Sequence, residues 1–107
     1  MKARGLIATA IVLASGFANT ATAEDRFYDI RDKWVQCAAC HGPEGQGGIG
    51  PMLAGRSADN IIDKLLAYKR GEYVGAQSTL MWPQAQVLTD GQIGLIGVFV
   101  QEGFPES

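Results

Sequence analysis

Five consecutive residues constrain this chain more than any other feature: Cys37-Ala38-Ala39-Cys40-His41. Two thiols separated by two residues and followed at once by an imidazole form the attachment pattern of a c-type haem. In that chemistry each cysteine sulfur adds to a vinyl group of the porphyrin as a thioether, and the histidine becomes the proximal ligand of the iron. A redox dithiol, half of a zinc site and a disulfide compete for the same two cysteines. Structural zinc takes about four nitrogen or sulfur ligands, and this chain has two cysteines and one histidine in total. A thioredoxin-like dithiol belongs in alternating strands and helices, a pattern these residues do not carry. Covalent haem is the leading reading, and a periplasmic dithiol protein is the other.

The N-terminal segment agrees with haem attachment. Lys2 and Arg4 precede an almost wholly apolar stretch from Leu6 to Phe17, and Ala21-Thr22-Ala23 places small residues where a signal peptidase reads them. Cleavage is expected after Ala23, so residues 1–23 are an export signal and the domain spans residues 24–107. A run of about 12 apolar residues falls short of the roughly 20 that a spanning helix needs, so no stable membrane insertion is expected. The linkage is normally made outside the cytoplasm, and both features point to the periplasm.

Removing 23 of the 107 residues leaves 84, enough for one small domain. Such a chain buries only about 60 to 65 per cent of its unfolded surface and usually needs a covalent or metal staple. One haem would supply it. The segment also holds two of the nine basic residues and none of the eleven acidic ones, leaving a formal charge of −4. Nucleic acid is excluded as a partner, since its binding rests on a basic surface. Lys64, Lys69 and Arg70 lie close together in sequence. They read either as a patch that steers an acidic partner or as a solvated helix face with cations near its C-terminus.

Helical periodicity organises the rest. Glu24 to Gln36 reads as a helix delivering the motif, with Phe27, Ile30 and Trp34 on one apolar face and Tyr28 and Val35 beside them. Gly42 to Gly50 is too rich in glycine for a helix and lacks the Lys-Ser/Thr pair of a phosphate loop. Its glycines let backbone pass close to the haem edge, and the Pro51 carbonyl is the expected acceptor for the second ring nitrogen of His41. Ser57 to Arg70 is a helix capped by Ser57 or Asp59, with Ile61, Ile62, Leu65, Leu66 and Tyr68 as its buried stripe and Gly71 as its left-handed terminator. Glu72 to Leu88 shows no sustained period and is expected to be a functional loop. Thr89 to Gln101 is the closing helix, with a capping-box pattern at Thr89 and Gln92. Gly91, Gly94 and Gly97 recur in it every third residue and predict a shallow stripe crossed by the N-terminal helix.

The iron needs a second axial ligand. No other histidine exists, Met1 leaves with the signal, and Met52 lies only 11 residues beyond His41, in the turn against the proximal side. Met81 is 40 residues beyond His41, with Pro83 stiffening the segment just after it. It is the expected ligand on the distal face. Histidine and methionine fill the coordination sphere and raise the potential relative to harder ligand sets, so the chain itself transfers electrons and is not an enzyme. Trp82 reads either as a shield at the iron or partner-facing edge or as plain packing.

Together these residues carry a likeness. The haem motif, Gly42-Pro43-Glu44-Gly45, Gly50 to Gly55, Leu66 to Glu72, and Met81 with Ala85 and Leu88-Thr89-Asp90 resemble the small bacterial class I cytochromes c. The nearest patterns are single-haem domains of dihaem cytochromes and the haem subunit of flavocytochrome c sulfide dehydrogenase, which Ser78-Thr79-Leu80-Met81 resembles further. The resemblance implies an all-α cytochrome c fold of three to four helices around one haem c, held through Cys37 and Cys40. It also implies His41 and Met81 as axial ligands and a bond from His41 to Pro51. The expected function is periplasmic one-electron transfer to redox partners such as a flavoprotein dehydrogenase or a terminal oxidase. The alternatives are a dedicated haem subunit of a flavoprotein complex oxidising sulfide or another reduced sulfur compound, and a gas sensor in which Met81 dissociates.

Overall fold

The computed structural model describes residues 25–106. The export signal read at residues 1–23 lies outside the described residues, as does Glu24. Four helices follow one another: α1 (Tyr28–His41), α2 (Ala58–Lys69), α3 (Ser78–Gln86) and α4 (Asp90–Gln101). Among the described residues there is no strand, and no helix is long and apolar enough to cross a membrane. The fold is all-α, as expected.

Helix α1 starts later than its expected position at Glu24 and runs past Gln36 through the whole motif. The extension has a local cause: Ala38 and Ala39 are the strongest helix formers available, and Gly42, at φ 89°, turns the chain out of the helix. Phe27, Ile30 and Trp34 form the buried face, whereas Tyr28 and Val35 lie in solvent. The aromatics meet α4 edge-on, Phe27 at 5.3 Å and Trp34 at 5.7 Å from the Phe99 ring centroid.

Helix α2 is bounded as its sequence predicts. The Ser57 side chain accepts from Asn60 N at 3.1 Å. At the other end Gly71 N reaches Tyr68 O and Glu72 N reaches Ala67 O, each at 2.9 Å. This pair of bonds is the Schellman pattern, with Gly71 left-handed at φ 76°. Ile61 and Leu65 enter the core, while Ile62, Leu66 and Tyr68 are half-buried against it.

The segment expected to be a loop contains α3. Its helical signal is Ser78, Met81, Ala85 and Leu88, at spacings of three, four and three. Ser78, Ala85 and Leu88 are buried and Met81 is half-buried. A serine and an alanine in that stripe hide it from an apolar pattern, and Pro83 inside the helix reads as a breaker. Ser78 Oγ anchors the approach to α3, accepting from Val74 N and Gly75 N at 2.7 and 2.8 Å and donating to Gly75 O.

Helix α4 carries the predicted capping box, with Gln92 N on Thr89 Oγ1 at 3.1 Å and Thr89 N on Gln92 Oε1 at 2.9 Å. Its glycine stripe is not the expected crossing. A Cβ at Gly97 would lie 2.6 Å from Ile62 Cγ1 and 2.9 Å from Ala58 O, so the close partner is α2 and not α1. A Cβ at Gly94 would meet nothing within 4 Å. The α1–α4 contact is made instead by large rings, which hold the two backbones apart. Helix α2 packs on both α3 and α4, and α1 closes on α4.

Candidate functional site

The last turn of α1 brings Cys37, Cys40 and His41 onto one helix face, because positions three and four apart are neighbours there. All three line a cavity of about 500 Å³. A helix ends with unpaired carbonyls, and the glycine-rich loop takes up three of them. Gly42 N donates to Ala38 O at 2.8 Å, Gly50 N to Cys40 O at 2.8 Å and Gly47 N to His41 O at 2.7 Å. The loop is thereby wound under the histidine.

His41 is buried, with Nδ1 at 2.8 Å from the Pro51 carbonyl oxygen. A carbonyl can only accept, so Nδ1 carries a proton, and Nε2 is the ring nitrogen left free of this bond. Gly50 lies against the ring: a Cβ there would be 2.8 Å from Cε1 and 2.9 Å from Nδ1. Cys40 is exposed and Cys37 half-buried, and the two thiols are not bonded to each other. Burial pushes the Cys37 thiol up to about 11, which keeps it protonated and a poor nucleophile at neutral pH.

Met81 reaches the same cavity from α3. Met52 does not line it and is 58% exposed. Trp82 stays out of the lining, with its indole N–H donating to Glu72 O at 2.9 Å and its ring edge-on to Tyr73 at 4.9 Å. Packing of the segment before α3 accounts for it.

Helix α2 forms a wall of the cavity with Ile61, Lys64, Leu65 and Tyr68. The three cations read as one cluster therefore separate. Lys69 pairs with Asp90 at 3.0 Å and Arg70 with Glu72 at 2.6 Å, while Lys64 faces the cavity. Arg56 lines it too, braced by Met52 O at 3.1 Å and Asn60 Oδ1 at 3.0 Å. Arg56 escaped the sequence reading. Lys64 was legible in principle, since positions 61, 64, 65 and 68 share one helix face. Among the described residues no carboxylate lines the cavity. A smaller cleft between α1 and α3 joins it at Gln36, Cys37 and Gln84, so the Cys37 side is reachable from the surface.

Comparison with known proteins is consistent with this arrangement. The chain is 41% identical over 70 residues to cytochrome c-554(548) of Halomonas halodenitrificans, a match covering 64% of this chain and 84% of that protein. It is 30% identical over 92 residues to cytochrome c-554(547) of Halothiobacillus neapolitanus, covering 78% and 96%. The chain belongs to the c-type cytochromes. A third similar protein, the thiosulfate dehydrogenase electron acceptor of Stutzerimonas stutzeri, is 31% identical over 77 residues, which are 65% of this chain and 35% of that one. No family model matches the chain. As a c-type cytochrome it is an electron-transfer haem protein, and the cofactor is haem c.

The residues present fit that cofactor. A flat tetrapyrrole with two carboxylates needs apolar walls, an imidazole with a free lone pair, a soft second ligand and cations at its acidic edge. The cavity lining supplies Leu65 and Ile96, His41, Met81, and Arg56 with Lys64.

Proposed function

We propose that this cytochrome is an exported, diffusible one-electron carrier, with one haem attached through Cys37 and Cys40 and iron held between His41 and Met81. The observation that carries the reading is the convergence of these four side chains on one largely apolar cavity, with His41 Nδ1 held by Pro51 O. The bound group supplies one-electron cycling of its iron. With His41 Nδ1–H engaged by Pro51 O, Nε2 is the nitrogen that would hold the iron, and that engagement would raise the basicity of the ligand. Met81, in the same cavity lining, would be the second residue to hold the iron, and a group held by both would offer no open site to oxygen or a substrate. Arg56 and Lys64 offset the negative charge of the propionates. Leu65, Ile61 and Ile96 exclude water, which keeps reorganisation on electron transfer small. The edge near Cys37 and Cys40 is where electrons pass to redox partner proteins in the periplasm. Outer-sphere transfer with a closed coordination sphere makes the chain a carrier and not an enzyme.

Met81→Ala should abolish the far-red sulfur-to-iron band of the oxidised protein and lower the potential, whereas Met52→Ala should leave both unchanged. A band that survives loss of Met81 refutes the ligand assignment. A second reading, a haem subunit held in a flavoprotein dehydrogenase acting on reduced sulfur, draws on the likeness to the thiosulfate dehydrogenase electron acceptor. Gentle purification with haem and flavin absorbance followed through a sizing column separates the two. Haem eluting alone at the mass of one small domain supports the carrier; flavin travelling with it at higher mass supports the subunit.

A further inference from the structure

Beyond α4 the chain does something its helix cap does not require. Gly103 N donates to Val100 O at 3.0 Å and Phe104 N to Phe99 O at 2.9 Å. That is a complete Schellman termination with Gly103 as its left-handed residue, at φ 85°. The next residue needs no such conformation, yet Phe104 is also left-handed, at φ 60°, the one non-glycine among the described residues with positive φ. A bulky side chain persists there only when its surroundings hold it.

Those surroundings belong to the haem-binding loop. The Phe104 ring lies 4.9 Å from Trp34, and Trp34 Nε1 donates to Pro43 O at 2.8 Å. Its tip lies against Gly45, where a Cβ would come within 2.4 Å of Phe104 Cζ. Gly45 in turn accepts from Leu53 N and Ala54 N at 2.8 and 2.9 Å. Leu53 follows Pro51 by two residues, so the strand of loop that presents the Pro51 carbonyl to His41 is fixed to Gly45. Arg31 holds the tail down, donating from Nε and Nη2 to Pro105 O at 3.2 and 2.9 Å.

We propose that Phe104, 63 positions after the histidine in sequence, is a positioning residue that braces Gly45 and thereby fixes the hydrogen bond from His41 Nδ1 to Pro51 O. It acts through the loop and touches neither ligand. The inference rests on His41 being the proximal ligand. Loosening the brace weakens the hydrogen bond, makes the imidazole a poorer donor and favours the reduced iron.

The test compares Phe104→Ala with Ile62→Ala, a core truncation on α2 that lies outside the cavity lining. Both are made in the full haem-loaded protein. Three quantities are read: thermal midpoint, reduction potential, and solvent exchange of the His41 Nδ1 proton by NMR. Phe104→Ala should speed that exchange about tenfold or more and raise the potential. Ile62→Ala should lower the midpoint while leaving exchange and potential at wild-type values. Should Phe104→Ala fail to give folded protein, Phe104→Leu should show both shifts at smaller size. Wild-type exchange and potential in the folded Phe104 variant, or equal shifts in Ile62→Ala, overturn the brace. An unchanged haem spectrum in His41→Ala would instead overturn the ligand assignment beneath it.

Discussion

Two glycines three residues apart in α4 should respond to the same substitution with opposite sign. At Gly94 an added Cβ meets nothing within 4 Å. Gly94→Ala therefore gains the helix propensity difference, up to about 1 kcal/mol. At Gly97 the added carbon meets Ile62 Cγ1 at 2.6 Å and the Ala58 carbonyl oxygen at 2.9 Å. The side chain can rotate away, but the carbonyl belongs to the first turn of α2 and moves only with that helix. Overpacking of this kind costs about 1 to 3 kcal/mol. Set against the same propensity gain, Gly97→Ala should lose up to about 2 kcal/mol. The propensity gain cancels between the variants, which should thus differ by the overpacking cost of about 1 to 3 kcal/mol, and for a domain of this size that separates their midpoints by roughly 5 to 25 °C. Thermal unfolding of the oxidised haem-loaded proteins, followed by far-UV circular dichroism, measures the separation. Equal midpoints, or a Gly97→Ala protein more stable than wild type, would show that α2 and α4 are not in close contact at Gly97.

Two further outcomes follow from hydrogen bonds, one in the cavity wall at Ser78 and one away from it at Asp25. Ser78→Ala leaves the Val74 and Gly75 amides without their acceptor and should cost about 1 to 2 kcal/mol, read as a lower midpoint in urea. The Arg31 guanidinium beside Asp25 holds its carboxyl below the usual range. The stabilisation it gives is present above the unfolded-state pKa and is lost as pH falls through the depressed folded value. Asp25→Asn should therefore be less stable than wild type at neutral pH, and the gap should close in strong acid. A gap that stays constant across an acid titration would show that the pair contributes nothing through its charge.

Much of the fold was legible because local chemistry and burial agree. The caps at Ser57 and Thr89, the terminator at Gly71 and the buried stripe of Phe27, Ile30 and Trp34 each have one local cause that tertiary packing does not override. The misses share a different physics. Helix α1 runs on through the motif because two alanines sit between the cysteines, and the motif had been read as a chemical unit separate from its backbone. Helix α3 was hidden because its buried positions include Ser78 and Ala85, whose burial comes from backbone hydrogen bonds and close approach, not from hydrophobicity. The partner of Gly97 was misassigned because a small-residue stripe says that something comes close without saying what. In the site, Cys37, Cys40, His41, Pro51 and Met81 could be named from spacing and elimination. Arg56 could not, since an arginine in a loop carries no sign of where its side chain goes. Phe104 lay beyond any local pattern, because its role depends on a glycine 59 positions earlier.

The absence of carboxylates along the cavity among the described residues bears on how two proteins collide. The domain carries a formal charge of −4 over residues 24–107, whereas the charged side chains along the cavity, among the described residues, are the cations Arg56 and Lys64. A partner of the same net sign is repelled by the domain as a whole, and the repulsion is weakest at the mouth of the cavity, which exposed, uncharged Ile49 and Leu80 border. Orientation then comes from the charge left out of this face as much as from any charge placed on it. An encounter seated on that apolar rim would leave few ion pairs to break afterwards, so the partners would part quickly once the electron has moved.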